Sequence, residues 1–224
     1  MRPKRYWIYA IAVIAFAAIV IAGKFISSPR VQAQGASPQS PVEIGFKTAP
    51  VPLNLEGKNR RLVGLGSYLV NDVASCDDCH SDGPPSQFAA GGNPYFGQSK
   101  KINPLTYLGG GRDFGPLPSG GPDIVSRNLT PDYTGLPEGG RSFSEFYEIM
   151  TTGMDLDHLH PTCTATITTN CLKPPFDGDL LQIMPWPSYT NLTMDDLRAI
   201  YEYLSAIPCI AGPPAPSPLN NVCE

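Results

Sequence analysis

Apolar residues recur in different rhythms along this chain, and each rhythm predicts a different element. Tyr6 to Gly23 is an apolar run of 18 residues without a charge, preceded by Arg2, Lys4 and Arg5. At ~1.5 Å per residue it reaches about 27 Å, close to the hydrocarbon thickness of a bilayer. The basic flank holds the N-terminus in the cytoplasm and sends the rest across. Residues 1–26 therefore read as an uncleaved membrane anchor, with a signal peptide processed after Val31-Gln32-Ala33 as the rival. Lys24, Pro29 and Arg30 lie in between, unlike a short cleavage region, which favours the anchor. Either reading puts the remainder on the periplasmic, disulfide-permissive side.

Residues 27–57 lose all periodicity and carry Pro29, Pro38, Pro41, Pro50 and Pro52, which predicts an extended linker. A helical rhythm then begins. From Asn59 to Ala74, Leu62, Leu65, Tyr68, Leu69 and Val73 fall three and four residues apart and share one face. Gly64 and Gly66 weaken that helix intrinsically and make sense where another helix crosses closely, though two merely tolerated glycines fit as well. Phe143 to Thr152 is a second helix, with Ser142 and Glu145 forming a capping box and Gly153 a stop. A third starts at the Thr193 cap and runs to about Ile207 before Pro208, with Leu197, Ile200, Tyr201 and Leu204 on one face and Tyr203 beside it. Leu180 to Pro187 is apolar too, but Pro185 and Pro187 forbid helix and stiffen it as a loop. The fold expected is mostly α: three or four helices, long irregular loops and little sheet.

Composition narrows the partners. The formal charge of −4 conceals an asymmetry, because Arg2, Lys4, Arg5, Lys24 and Arg30 precede the first acid, Glu43. Without those five, 11 basic residues face 20 acidic ones, a net of −9. Such a surface argues against nucleic acid, whose phosphates need Lys and Arg, and suits a basic protein partner or solubility. Hydrophobic content of 42% suffices for a core, while 25 Pro and 22 Gly make about a fifth of the chain turn-forming.

Six cysteines fall into two groups. Cys76-Asp77-Asp78-Cys79-His80 is the Cys-x-x-Cys-His pattern that attaches c-type haem. Two thiols add across the vinyl groups, and the next imidazole falls under the iron as an axial ligand. The pentapeptide would arise by chance in roughly two of a thousand chains of this composition. A redox Cys-x-x-Cys expects a βαβ setting, and Gly- and Pro-rich loop follows here instead. One covalent haem c, held by Cys76 and Cys79 and ligated by His80, is the expectation. The other four, Cys163, Cys171, Cys209 and Cys223, allow three pairings; the sequential one, Cys163–Cys171 and Cys209–Cys223, closes two short loops.

A second axial ligand closes the iron to small molecules. Met184, in the stiff loop before Pro185, is the first candidate and a core-filling methionine the alternative; His160 before Pro161 is the runner-up. His158, Met150, Met154 and Met194 complete the set. Arg127, Arg141 and Asn128 are candidates for haem propionates, and Pro84 or Pro85 for a carbonyl on the outer nitrogen of His80. Asp155, Asp157, His158, His160 and Cys163 crowd together, either as a metal site or, more simply, as a polar loop. Asn128-Leu-Thr130 and Asn191-Leu-Thr193 match glycosylation acceptors and read here as turn and helix-start chemistry.

The order Tyr68-Leu69-Val70, Cys76 to His80, Asn128-Leu-Thr-Pro-Asp132, Thr134-Gly135, Phe143-Ser-Glu-Phe146, Gly153, His160-Pro161, Met184-Pro-Trp-Pro-Ser-Tyr189, Asp196-Leu197 and Tyr201-Glu-Tyr-Leu204 resembles a class I cytochrome c. More narrowly, it is similar to cytochrome subunits of membrane-bound bacterial alcohol and sugar dehydrogenases, over about Gly57 to Pro208. The resemblance implies a class I cytochrome c fold around one haem, His80 and Met184 as the axial pair, and electron transfer between redox proteins of the membrane. One haem motif stands where that family carries several, and the Pro161–Met184 stretch with its two cysteines is longer. No Gly-x-Gly-x-x-Gly fingerprint marks a dehydrogenase. The organisation expected is residues 1–26 anchor, 27–57 linker, 58–208 mono-haem domain and 209–224 C-terminal tail. A haem enzyme or gas sensor with an open axial position is the alternative function.

Overall fold

The computed structural model describes residues 39–82, 86–117 and 120–224, which belong to one compact unit. The expected anchor and the first part of the linker lie outside the described residues. Among the described residues no helix is long and apolar enough to cross a membrane.

Helix α1, Pro41–Thr48, occupies the middle of the stretch expected to be extended. Ser40 and Glu43 close a full capping box around it, and Pro41 sits at the first helical turn, where its missing N–H costs nothing. Its proline thus starts a helix instead of forbidding one. Helix α2, Arg60–Tyr68, is capped by Asn59, whose Oδ1 accepts from the Arg61 and Leu62 N–H groups. The two helices touch through glycine: a Cβ on Gly45 would collide with the Gly64 carbonyl, and one on Gly64 with Val42 and Phe46. Ser67 Oγ donates to the Gly45 carbonyl at 2.6 Å across the seam. On its other side α2 crosses helix α5, Met194–Leu204, where Gly66 meets the Ala199 carbonyl and the Tyr203 side chain.

Val63, Val70, Leu108, Phe146, Leu197, Ile200, Leu204 and Ile207 form the core around this crossing. A polar knot lies inside it: the Tyr107 hydroxyl donates to Asn71 Oδ1 at 2.5 Å, pairs with the Tyr203 hydroxyl at 2.7 Å, and Asn71 Nδ2 donates to that same Tyr203 hydroxyl at 3.1 Å. All three are buried, so each needs the others. Helix α4, Phe143–Thr152, keeps the Ser142–Glu145 capping box and stops at Gly153 in the left-handed region (φ +74°). The sheet is small: β1, Asp113–Pro116, pairs antiparallel with β2, Asp123–Val125, with Asp113 opposite Val125 and Pro116 opposite Asp123.

Cys163 is bonded to Cys171 and Cys209 to Cys223. Residues 209–224 are more than a tail. The Asn221 side chain donates to the carbonyls of Thr130, Pro131 and Ile210, and Asn128 Nδ2 also donates to Ile210. Asn128 Oδ1 meanwhile accepts from the Thr130 N–H, the turn expected for that tripeptide.

Candidate functional site

After α2 the helix loosens into a π turn, Leu69–Val73, and Ser75 takes a left-handed φ of +49°. This redirection launches α3, Cys76–His80. Positions i, i+3 and i+4 share a helix face, so Cys76, Cys79 and His80 point the same way. All three line a cavity of about 390 Å³ whose wall is mostly apolar, including Leu69, Val70, Phe146, Ile149, Leu181 and Leu204. That volume lies in the range of small-molecule and cofactor sites.

Cys76 and Cys79 are the chain's two cysteines outside disulfides. Burial, reinforced by the neighbouring Asp77 and Cys79, pushes the Cys76 thiol up to about 12. Burial also raises Cys79, against the pull of Arg112. Redox and nucleophilic cysteines need the opposite, an electropositive setting that favours thiolate. His80 is lowered by burial, and its Nδ1–H donates to the Arg127 carbonyl at 2.8 Å. That bond fixes the tautomer and leaves Nε2 with its lone pair, as a metal-ligating imidazole requires. The carbonyl holding His80 comes from 47 residues further on; Pro84 and Pro85, candidates for that carbonyl or for a simple turn, lie outside the described residues.

Met184 lines the same cavity and packs against the core. Its N–H donates to the Gln182 carbonyl at 2.8 Å, closing a three-residue turn centred on Ile183 at φ +67°. A β-branched residue at positive φ is strained, and such strain persists where the surroundings over-determine it. Here Leu181 N–H donates to the Gly153 carbonyl at 2.7 Å, and Trp186 lies so close over Gly153 that no Cβ fits beneath the ring. The loop is thereby clamped to the end of α4. Tyr189, from the same segment, lines the cavity as well; burial raises its hydroxyl first, and the nearby Cys76 and Cys79 raise it further.

His160 also reaches the cavity, and its Nδ1 is buried without a hydrogen-bond partner among the described residues. An orphaned buried nitrogen in a ligand-sized cavity calls for a partner that enters with the ligand. Of the other axial candidates, Met150 lines the cavity, whereas Met154 does not, Met194 is half exposed and His158 pairs with Asp179 at the surface.

The expected propionate donors already have protein partners. The Arg127 guanidinium is bound by Asp155 and Asp157, and Arg141 by Asp157 and Glu145. The Asn128 amide bonds the Ile210 carbonyl. These pairs also dispose of the metal reading of Asp155, Asp157, His158, His160 and Cys163. The two carboxylates face guanidinium groups, Cys163 is in a disulfide, and no cluster of three or more His, Cys, Asp or Glu residues able to hold a metal ion occurs among the described residues. Glu138 was not foreseen. It lines the cavity at φ +52°, and burial raises its carboxyl although Arg127 and Arg141 pull it down. Nothing in Pro137-Glu138-Gly139-Gly140 beyond its turn character signals this position.

The arrangement fits a flat, apolar group that bonds two thiols and takes a nitrogen ligand: the thiols and imidazole share one helix face, the wall is mostly apolar, and Met184 offers a thioether from another segment. Compared with known proteins, the chain matches no family model, no curated protein and no solved structure.

Proposed function

We propose that this chain is a mono-haem c-type cytochrome that moves single electrons at the outer face of a membrane and catalyses no chemistry itself. The observation that carries the reading is the convergence of Cys76, Cys79, His80 and Met184 on one apolar cavity, with the two thiols left out of the disulfides. Haem bound there supplies the one-electron couple. Cys76 and Cys79 would hold it by thioethers, which suits a carrier that meets partners repeatedly. His80 is aimed by the Arg127 carbonyl, and the Ile183 turn with Pro185 presents the Met184 sulfur at little entropic cost. The apolar wall would keep water from the group, and an imidazole from His80 with a thioether from Met184 would raise its potential and leave its iron no open position.

The chain's partners in this reading are a redox donor and an acceptor, proteins of membrane complexes, met by a domain on the periplasmic side of its own anchor. Because α1 belongs to the domain, residues 24–38 alone separate the apolar run from Gln39, and fifteen residues taken as a flexible chain would span roughly 21 Å. That favours partners in the same membrane over distant ones.

Carbon monoxide added to the reduced protein, with a peroxidase assay alongside, tests closure. Slow or absent binding without turnover is expected. Rapid binding with turnover would hand the chain to the haem enzyme or sensor reading.

A further inference from the structure

Between Gln87 and Asn103 the chain makes a hairpin-like excursion. The Asn103 N–H donates to the Gln87 carbonyl at 2.9 Å, Phe88 and Ile102 form an antiparallel bridge, and Ala89 and Lys101 bond at 2.9 Å. At the tip a short 3₁₀ turn, Pro94–Phe96, is held by its own bonds: Asn93 Oδ1 accepts from the Tyr95 N–H at 2.9 Å, and the Pro94 carbonyl from the Gly97 N–H at 3.0 Å. The Tyr95 ring stands edge-on to Phe88, centroids 6.2 Å apart. The turn is hydrogen-bonded, yet every residue from Pro94 to Lys101 is exposed, with Tyr95 at 80% and Phe96 at 73%. Large aromatic rings held out in water by a hydrogen-bonded turn mark a contact surface.

Charge singles out the same stretch. From Gly83 to Arg112 there is no acid, only Lys100, Lys101 and Arg112; the other 8 of the 11 basic residues beyond Arg30 share the chain with all 20 acids. Lys100 reaches back to Asp77 at 3.5 Å, and Lys101 has no ion-pair partner among the described residues.

We propose that this tip is a second membrane contact, in which Tyr95 and Phe96 enter the headgroup layer of an anionic lipid surface and Lys101 lies against the phosphates. A protruding turn with two adjacent aromatic rings and flanking lysines matches what that layer accepts. The length of the preceding chain sets the reach: only residues 24–38 separate the apolar run from Gln39, and fifteen residues taken as a flexible chain would span about 21 Å. At such an effective concentration a weak contact suffices. The Lys100–Asp77 pair ties the hairpin to α3, so the contact fixes how the cavity faces the bilayer and replaces free swinging by a set orientation. This rests on the membrane-tethered reading above.

The test uses the full chain carrying Phe96→Trp, reconstituted into phosphatidylcholine vesicles with about 30% phosphatidylglycerol. The unmodified chain emits from Trp7, inside the apolar run, and from Trp186, packed on Gly153; quenching of that emission by lipid reports Trp7 and the anchor, and the extra emission of F96W reports the tip. Brominated acyl chains should quench Trp7 and remove about half or more of the added emission. Quenching of the added emission should weaken in pure phosphatidylcholine and with Lys101→Glu. Added emission that ignores brominated lipid and stays open to iodide, while Trp7 is quenched, overturns the proposal and leaves the tip to an acidic protein. Absence of Trp7 quenching overturns the tethering, and the tip contact with it.

Discussion

Helix α3 delivers three cavity groups within five residues, whereas the loop from Leu180 to Tyr189 delivers its sulfur from the end of a strained turn. On α3 the geometry is local: helical spacing alone puts Cys76, Cys79 and His80 on one face. In the loop it is tertiary: Met184 stands where it does because Gly153 bonds Leu181 and seats Trp186. The two walls should therefore fail differently. Loss on α3 should remove the cofactor, and loss in the loop should change only its sixth ligand.

The largest effect is expected from C76A/C79A, which leaves His80 and the cavity in place. No haem should remain on the chain after acid–acetone extraction, whereas the unmodified chain should retain all of it. Met184→Ala comes next. It should keep the covalent haem, erase the sulfur-to-iron charge-transfer band and admit carbon monoxide, while Met184→His should keep six ligands and lower the potential by on the order of 0.1 V or more. An unchanged band in M184A would assign the sulfur to another methionine, with Met150 on the cavity wall first in line, whereas absence of the band from the unmodified protein would point to His160.

Gly66→Ala sharpens the comparison from the side of the scaffold. Its methyl would meet the Ala199 carbonyl of α5, backbone that cannot yield cheaply. Urea unfolding should show a loss of about 2–3 kcal/mol with the haem spectrum retained. A loss below about 0.5 kcal/mol would mean that the α2–α5 crossing is looser than described.

Glu138→Gln is the smallest change. Folding raises this carboxyl, so between its unfolded and folded values the native state binds more proton than the unfolded chain. The stability it supports is present at low pH and is lost as pH rises through the folded value. The variant should match the unmodified protein in acid and melt slightly higher, by roughly 1–2 °C, at neutral pH. A lower Tm at neutral pH would show that attraction to Arg127 and Arg141 outweighs burial.

What could be read in advance divides along the same line. Helices α4 and α5 announce themselves through Ser142–Glu145 and Thr193–Asp196, caps written within four residues, and α3 through one pentapeptide. Gly64 and Gly66 signal close crossings because glycine is costly in a helix unless something approaches. Helix α1 is short and sits among Pro38, Pro41, Pro50 and Pro52, a proline density that predicts extended chain although the Ser40–Glu43 box encodes a helix start. The Arg127 carbonyl on His80, the carboxylates on Arg127 and Arg141, and the Tyr107–Asn71–Tyr203 knot join residues dozens of positions apart, and no local pattern encodes them. The Ile183 turn was invisible for another reason: isoleucine is the wrong residue for a positive φ, and only the clamp at Gly153 imposes it.

Intact mass and peptide mapping of the native protein, without reduction, test the central claim most directly. The account predicts one added haem, carried on the peptide containing Cys76 and Cys79, alongside the Cys163–Cys171 and Cys209–Cys223 bridges. A chain of unmodified mass, with Cys76 and Cys79 as thiols or joined to each other, would contradict it.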